Sequence, residues 1–115
     1  MPLYKTITVN STTKVLIWKI EESYKELNDG IILTDISAVR VNNMKSELHQ
    51  RGFLSIRHLL ASEGYTDHDL YYDENGKPHL HNGLHISITH SFNFSAIIIS
   101  DIKVGIDVEK KREKN

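Results

Sequence analysis

Apolar and polar positions alternate with two different periods along this chain. Residues 3–9 and 14–20 are rich in β-branched and aromatic side chains and read as strands. Glu21 to Asn28 predicts a short helix stopped by Gly30. Val41, Met44, Leu48, Ile56 and Leu59 then recur at helical spacing, with Gly52 standing in the stripe where a large residue is expected. The spacing predicts one long helix near residues 35–62, capped by Thr34 or Asp35 and ended by Gly64. Glycine inside a helix costs about 1 kcal/mol against alanine, so Gly52 marks a close backbone approach. Beyond it the pattern is strand-like. Leu70 to Asp73 leads into Asn75-Gly76, a two-residue hairpin signal because both positions tolerate positive φ. Ile86 to Thr89 alternates, Phe94 to Ser100 is apolar enough to be covered on both faces, and Val104 to Glu109 alternates again. The resulting class is α+β, with one long helix packed on a mostly antiparallel sheet.

The length of 115 residues fits a single domain with a modest core. With no cysteine, a disulfide scaffold, a thiolate zinc site and a cysteine nucleophile are excluded. The longest apolar runs, such as Ala96 to Ile99, are far too short to span a membrane. Met1 to Thr6 carries no hydrophobic signal region, so a cytoplasmic location is expected. The net charge of −1 divides unevenly: residues 1–60 carry eight Lys/Arg and six Asp/Glu, the remainder six and nine. Neither part is basic enough for nonspecific nucleic-acid binding.

Candidate chemistry gathers in a few places. In a strand over 104–109, Val104, Ile106 and Val108 share one face, and Gly105, Asp107 and Glu109 share the other. Two carboxylates on one face repel unless a cation offsets them, and Mg²⁺ commonly takes such a pair together with phosphate oxygens. A solvated edge strand would carry the same pattern. Arg57 lies among Phe53, Leu54, Leu60 and Ala61, so its guanidinium needs either an anion such as phosphate or an internal ion pair with Glu47, Glu63 or a strand acid. Arg51 is about 120° round the same helix and need not reach the same ligand. Thr89-His90-Ser91 sets an imidazole between hydroxyls at a strand end, either for phosphate oxygens or as turn chemistry. His79 and His81 share a strand face with His85 nearby. This is a weak zinc signal, and it reads more simply as hairpin histidines. Lys110 to Lys114 reads as a solvated end.

Four stretches in order resemble the first half of a 4′-phosphopantetheinyl transferase of the two-lobed, surfactin-synthetase-activating type. They are Arg51-Gly-Phe-Leu-Ser-Ile-Arg57-His-Leu-Leu60, Tyr72-Asp-Glu-Asn-Gly-Lys77-Pro78-His-Leu80, Ile86-Ser-Ile-Thr-His90-Ser91 and Gly105-Ile-Asp107-Val-Glu109-Lys110. The resemblance implies a single α+β lobe of that fold over residues 1–115, with the second lobe absent. It implies transfer of the phosphopantetheine arm of coenzyme A to a serine of an apo acyl or peptidyl carrier protein, with release of 3′,5′-ADP. Asp107 and Glu109 would bind Mg²⁺ on the coenzyme A pyrophosphate. Lys77 and Pro78 would lie along the nucleotide, Thr89 and His90 would meet its phosphates, and Arg57 would help hold the 3′-phosphate, with Arg51 a weaker candidate. The family usually has Ser where this chain has Thr89, which keeps the hydroxyl.

The same resemblance places the general base and a lysine in the second lobe, so no catalytic residue is assigned in this chain. A lone lobe is expected to expose an apolar face and to self-associate or receive a complementary lobe. The rival expectations are a non-catalytic coenzyme A or nucleotide-binding or assembly module, and a metal-dependent phosphohydrolase built on Asp107, Glu109 and His90.

Overall fold

A computed structural model describes residues 3–91 and 93–102. Strands β1 (Leu3–Asn10) and β2 (Thr13–Lys19) are followed by helices α1 (Tyr24–Asp29), α2 (Asp35–Asn42) and α3 (Glu47–Ser62). After a 3₁₀ turn (Asp67–Asp69) come β3 (Leu70–Tyr72), β4 (Pro78–Leu80), β5 (His85–His90) and β6 (Phe94–Ser100). The main sheet is antiparallel throughout, in the order β1-β2-β6-β5, and β3-β4 is a separate hairpin. The α+β class stands. The strand expected at Val104 to Glu109 lies outside the described residues.

One face of the sheet packs on α3. Leu16 and Trp18 of β2, Ile86 of β5 and Ile97 and Ile99 of β6 close on Phe53, Leu54, Ile56, Leu59 and Leu60 of α3. Each such side chain contributes about 1.5–3 kcal/mol when fully buried. A small-residue seam runs through this interface. The Ser55 hydroxyl donates to the Gly52 carbonyl (2.8 Å) and meets the Ser95 hydroxyl of β6 at 2.7 Å, both serines being fully buried. Small side chains let helix and sheet approach closely, and their polar atoms satisfy one another there. The opposite sheet face carries Ile7, Val15, Ile17 and Ile98, all partly exposed. So β6 is interior to the sheet, with Ile97 and Ile99 buried on the α3 side and Ala96 and Ser100 buried on the other, in keeping with the expected coverage of both faces, while Phe94 and Ile98 keep partial exposure.

The single helix expected over 35–62 is two helices. Asn43 caps the end of α2, with φ −85° and ψ −7°. Ser46 is extended (φ −108°, ψ 131°) and its hydroxyl accepts from the backbone N–H groups of Leu48 and His49. A side chain that caps a helix start cannot lie inside the helix, and asparagine and serine both prefer such positions. Gln50 Nε2 then donates to the Val41 carbonyl at 3.1 Å, fixing the corner. The short helix starts at Tyr24 rather than Glu21, because Ser23 and Glu26 form a reciprocal capping box.

The hairpin at Asn75-Gly76 also differs from its two-residue expectation. Only Gly76 has positive φ (82°). The loop instead spans Asp73 to Lys77, with the Asp73 carboxylate accepting from the N–H groups of Asn75 and Lys77. Self-capping by an aspartate replaces the second left-handed residue.

The helix break has a direct test. Ser46→Ala should lower stability by about 1 kcal/mol in urea unfolding, through loss of the cap. In an uninterrupted helix the same change would stabilise, because alanine is the better helix former.

Candidate functional site

Helix α3 is enclosed on several sides, and its polar residues divide accordingly. Arg51 faces the β2–α1 connection, where Nε donates to the Glu22 carbonyl at 2.7 Å and a terminal nitrogen reaches the Ile20 carbonyl at 3.4 Å. His58 is on the same flank, with Nε2 2.8 Å from the Leu27 carbonyl oxygen. Phe53 and Arg57, one turn apart, face the opposite way toward α2 and β3. Arg51 and Arg57 therefore serve different neighbourhoods, and Arg51 lines neither cavity described below.

Arg57 is buried, with 3% of its side chain exposed. Its Nε donates to Asp67 Oδ1 at 3.0 Å, its guanidinium lies 3.8 Å from the Phe53 ring centre, and Nη1 is 3.4 Å from the Tyr72 hydroxyl. The ion-pair partner is thus Asp67 of the 3₁₀ turn, not Glu47, Glu63 or a strand acid; Glu63 binds Lys14 instead. Burial works to raise the Asp67 pKa. It is outweighed by hydrogen bonds from the Thr34 N–H and from Ser37 and by the charge of Arg57, which together hold the carboxyl below its ordinary value. Asp67 therefore joins α3, the start of α2 and the 3₁₀ turn.

His90 ends β5 on the α3 side of the sheet, next to Gly52. A Cβ at Gly52 would lie 2.8 Å from His90 Nδ1, so the mid-helix glycine makes room for the imidazole. The expectation of a close approach at Gly52 is met by a side chain rather than by backbone. Partial burial of the ring, and then the neighbouring His49 at 6.1 Å between ring centres, push the His90 pKa below its ordinary value.

Around these groups lies a cavity of about 360 Å³ between α3, β5 and the α2–α3 corner. Arg40, Lys45, His49, Arg57 and His90 all line it, and no described acid does. Arg57 is neutralised by Asp67. Arg40 and Lys45 have no carboxylate within ion-pair distance among the described residues. The Arg40 guanidinium instead rests 4.3 Å from the centre of the Tyr72 ring. Two cations without a described carboxylate partner and two histidines around a concave, partly apolar wall suit an anion.

The other expected site residues are placed elsewhere. Lys77 is exposed on the hairpin loop, and Pro78 pairs with Tyr72 across β3-β4; neither lines the cavity. Thr89 is next to His90 in a strand and so projects from the opposite sheet face. His79 bonds Asp73 at 2.9 Å, and His81 stacks on Tyr71 with 4.4 Å between ring centres. Asp107 and Glu109 lie outside the described residues, and no described group of three or more His, Asp or Glu is arranged to hold a metal. Arg40, Lys45, His49 and Tyr72 were not singled out from sequence. With residues 35–62 read as one helix, nothing phases the first two toward Arg57.

Two measurements check this geometry. Gly52→Ala should destabilise by about 1 kcal/mol net, as the clash with His90 exceeds the gain in helix propensity. Removing the ring in the Gly52→Ala/His90→Ala double variant should recover that loss. Separately, Asp67→Asn should cost about 3–5 kcal/mol by leaving the Arg57 charge buried without its partner. Because the folded pKa of Asp67 is depressed, its contribution is full above the unfolded carboxylate value of about 3.9 and is lost as pH falls through the lower folded value. Wild type should therefore lose more stability than Asp67→Asn in urea titrations carried from pH 5 to pH 2.5.

Set against models of known protein families and against curated proteins, the chain matches none.

Proposed function

We propose that the chain binds coenzyme A as the N-terminal lobe of a 4′-phosphopantetheinyl transferase and presents it to an apo acyl or peptidyl carrier protein. The observation that carries this reading is the cavity at His90, where Arg40 and Lys45 have no carboxylate partner among the described residues. It joins the sequence resemblance at His90. Coenzyme A brings a pyrophosphate and a 3′-phosphate, and such a ligand needs positive charge held in place before it arrives.

In the reaction, the carrier serine oxygen forms a bond to the phosphorus bearing the pantetheine arm. The pyrophosphate P–O bond on the other side breaks, and 3′,5′-ADP departs. The serine proton passes to a base, which this reading assigns to a complementary lobe. Mg²⁺ would supply charge neutralisation at the pyrophosphate, but the described residues provide no ligand set for it, and no step is assigned through it. The chain's own residues bind and orient. Arg40 and Lys45 offset phosphate charge, the Tyr72 and Phe53 rings support the Arg40 and Arg57 guanidinium groups, and His90 enters uncharged at neutral pH.

Calorimetric titration with coenzyme A and with 3′,5′-ADP tests binding, and the mass shift of an apo carrier tests transfer with and without an added second lobe. Binding with a shift only when the second lobe is supplied supports the proposal. Binding with no shift in either case leaves a coenzyme A-binding or assembly module, and no binding removes both. A bound phosphate favours protonated His90, so affinity should rise as pH falls through the depressed pKa. At pH 6 His90→Gln should weaken coenzyme A binding roughly fivefold, the equivalent of about 1 kcal/mol. At pH 8, well above the depressed value of the free protein, the difference should be smaller than at pH 6. The ligand's own phosphate titration is common to both proteins and cancels in the comparison.

A further inference from the structure

A second cavity of about 600 Å³ lies beneath the start of α2, against β3 and the 3₁₀ turn. It shares Arg40, Arg57 and Tyr72 with the cationic cavity, so the same three side chains form a common wall. The two spaces differ in charge. The first holds Arg40, Lys45 and Arg57 with no described acid in its lining. The second holds Arg40 and Arg57 balanced by Asp35 and Asp67. An anionic group is therefore driven toward the first space and gains nothing from the second. A neutral group avoids no penalty in the first and finds ring surface and hydrogen-bonding edges in the second. Tyr71 and His81, stacked at 4.4 Å, line the second space on the hairpin side. Its volume is of the size that encloses a small organic group.

We infer that the two cavities are compartments of one bipartite site for an organic phosphate, with the phosphate at Arg40, Lys45 and His90 and a neutral ring-bearing portion against Tyr71 and His81. Arg40 is the shared element. Held on the Tyr72 ring at 4.3 Å with no described carboxylate to restrain it, it borders both parts of the ligand. This rests on the anion-binding reading of the cationic cavity and extends it to the chemistry of what is attached to the phosphate.

The linkage makes a numerical expectation. When one molecule fills both compartments, the second contact is intramolecular and affinity exceeds that of either fragment. Pyrophosphate and ADP are the probes, titrated calorimetrically into wild type, Arg40→Ala, Tyr71→Ala and His81→Ala, with a thermal melt of each variant to show that it is folded. Wild type should hold ADP at least about tenfold more tightly than pyrophosphate. Arg40→Ala should weaken both about tenfold. Tyr71→Ala should weaken ADP about fivefold and leave pyrophosphate unchanged, and His81→Ala, which retains the Tyr71 ring, should act in the same direction. Equal affinity for the two probes in wild type, or hairpin variants that weaken both probes alike, overturns the bipartite site while leaving the anion site standing. If pyrophosphate does not bind wild type at all, the cationic reading falls and this inference falls with it.

Discussion

The structure depends most on how closely α3 lies against the strands at Gly52, Ser55 and Ser95. With no Cβ at 52 and only hydroxymethyl groups at 55 and 95, the helix comes near enough for two buried hydroxyls to bond across the interface. That approach puts the His90 ring against the helix backbone, and it excludes part of the water that would otherwise favour the charged imidazole. It also sets the rotation of α3. With Gly52 and Ser55 turned to the sheet, Phe53 and Arg57 must face the cavity, and Arg51 must face away toward α1. A larger residue anywhere along the seam would alter all three directions together.

The charged groups then fall into two kinds. Arg57 is committed: buried, stacked on Phe53 and paired with an aspartate that also takes the Thr34 N–H. A desolvated guanidinium of this sort holds elements in place and has little left for a ligand. Arg40 and Lys45 are uncommitted, near solvent and without described carboxylate partners. Placing these two cations beside a rigid, neutralised arginine gives a wall whose shape is fixed by one pair and whose charge comes from the other.

Much of the architecture was legible in the chain. The alternation at 86–89 and the apolar run at 94–100 gave β5 and β6, and the glycine in the apolar stripe signalled a tight contact. The break between α2 and α3 was missed because the aliphatic spacing continues across it, while the capping residues Asn43 and Ser46 interrupt the backbone. Periodicity reports which side chains face a core; it does not report whether the intervening peptide groups stay helical. That one error hid Arg40 and Lys45, whose positions depend on the corner. Arg57 showed a different limit. Its apolar neighbours declared that it needed a partner, but the partner, Asp67, comes from a short 3₁₀ turn with no hydrophobic pattern of its own. Thr89 and His90 are adjacent in sequence and yet serve opposite faces of β5, as strand geometry requires.

The self-capped loop of β3-β4 has a bearing on acid tolerance. The hydrogen bond from His79, then the loop's own backbone N–H groups, draw the pKa of Asp73 down to about 2. A turn built on that carboxylate keeps its charge through the whole range in which ordinary aspartates are neutralised. The turn that joins β3 to β4 thus keeps its carboxylate cap at acidities that neutralise an ordinary aspartate.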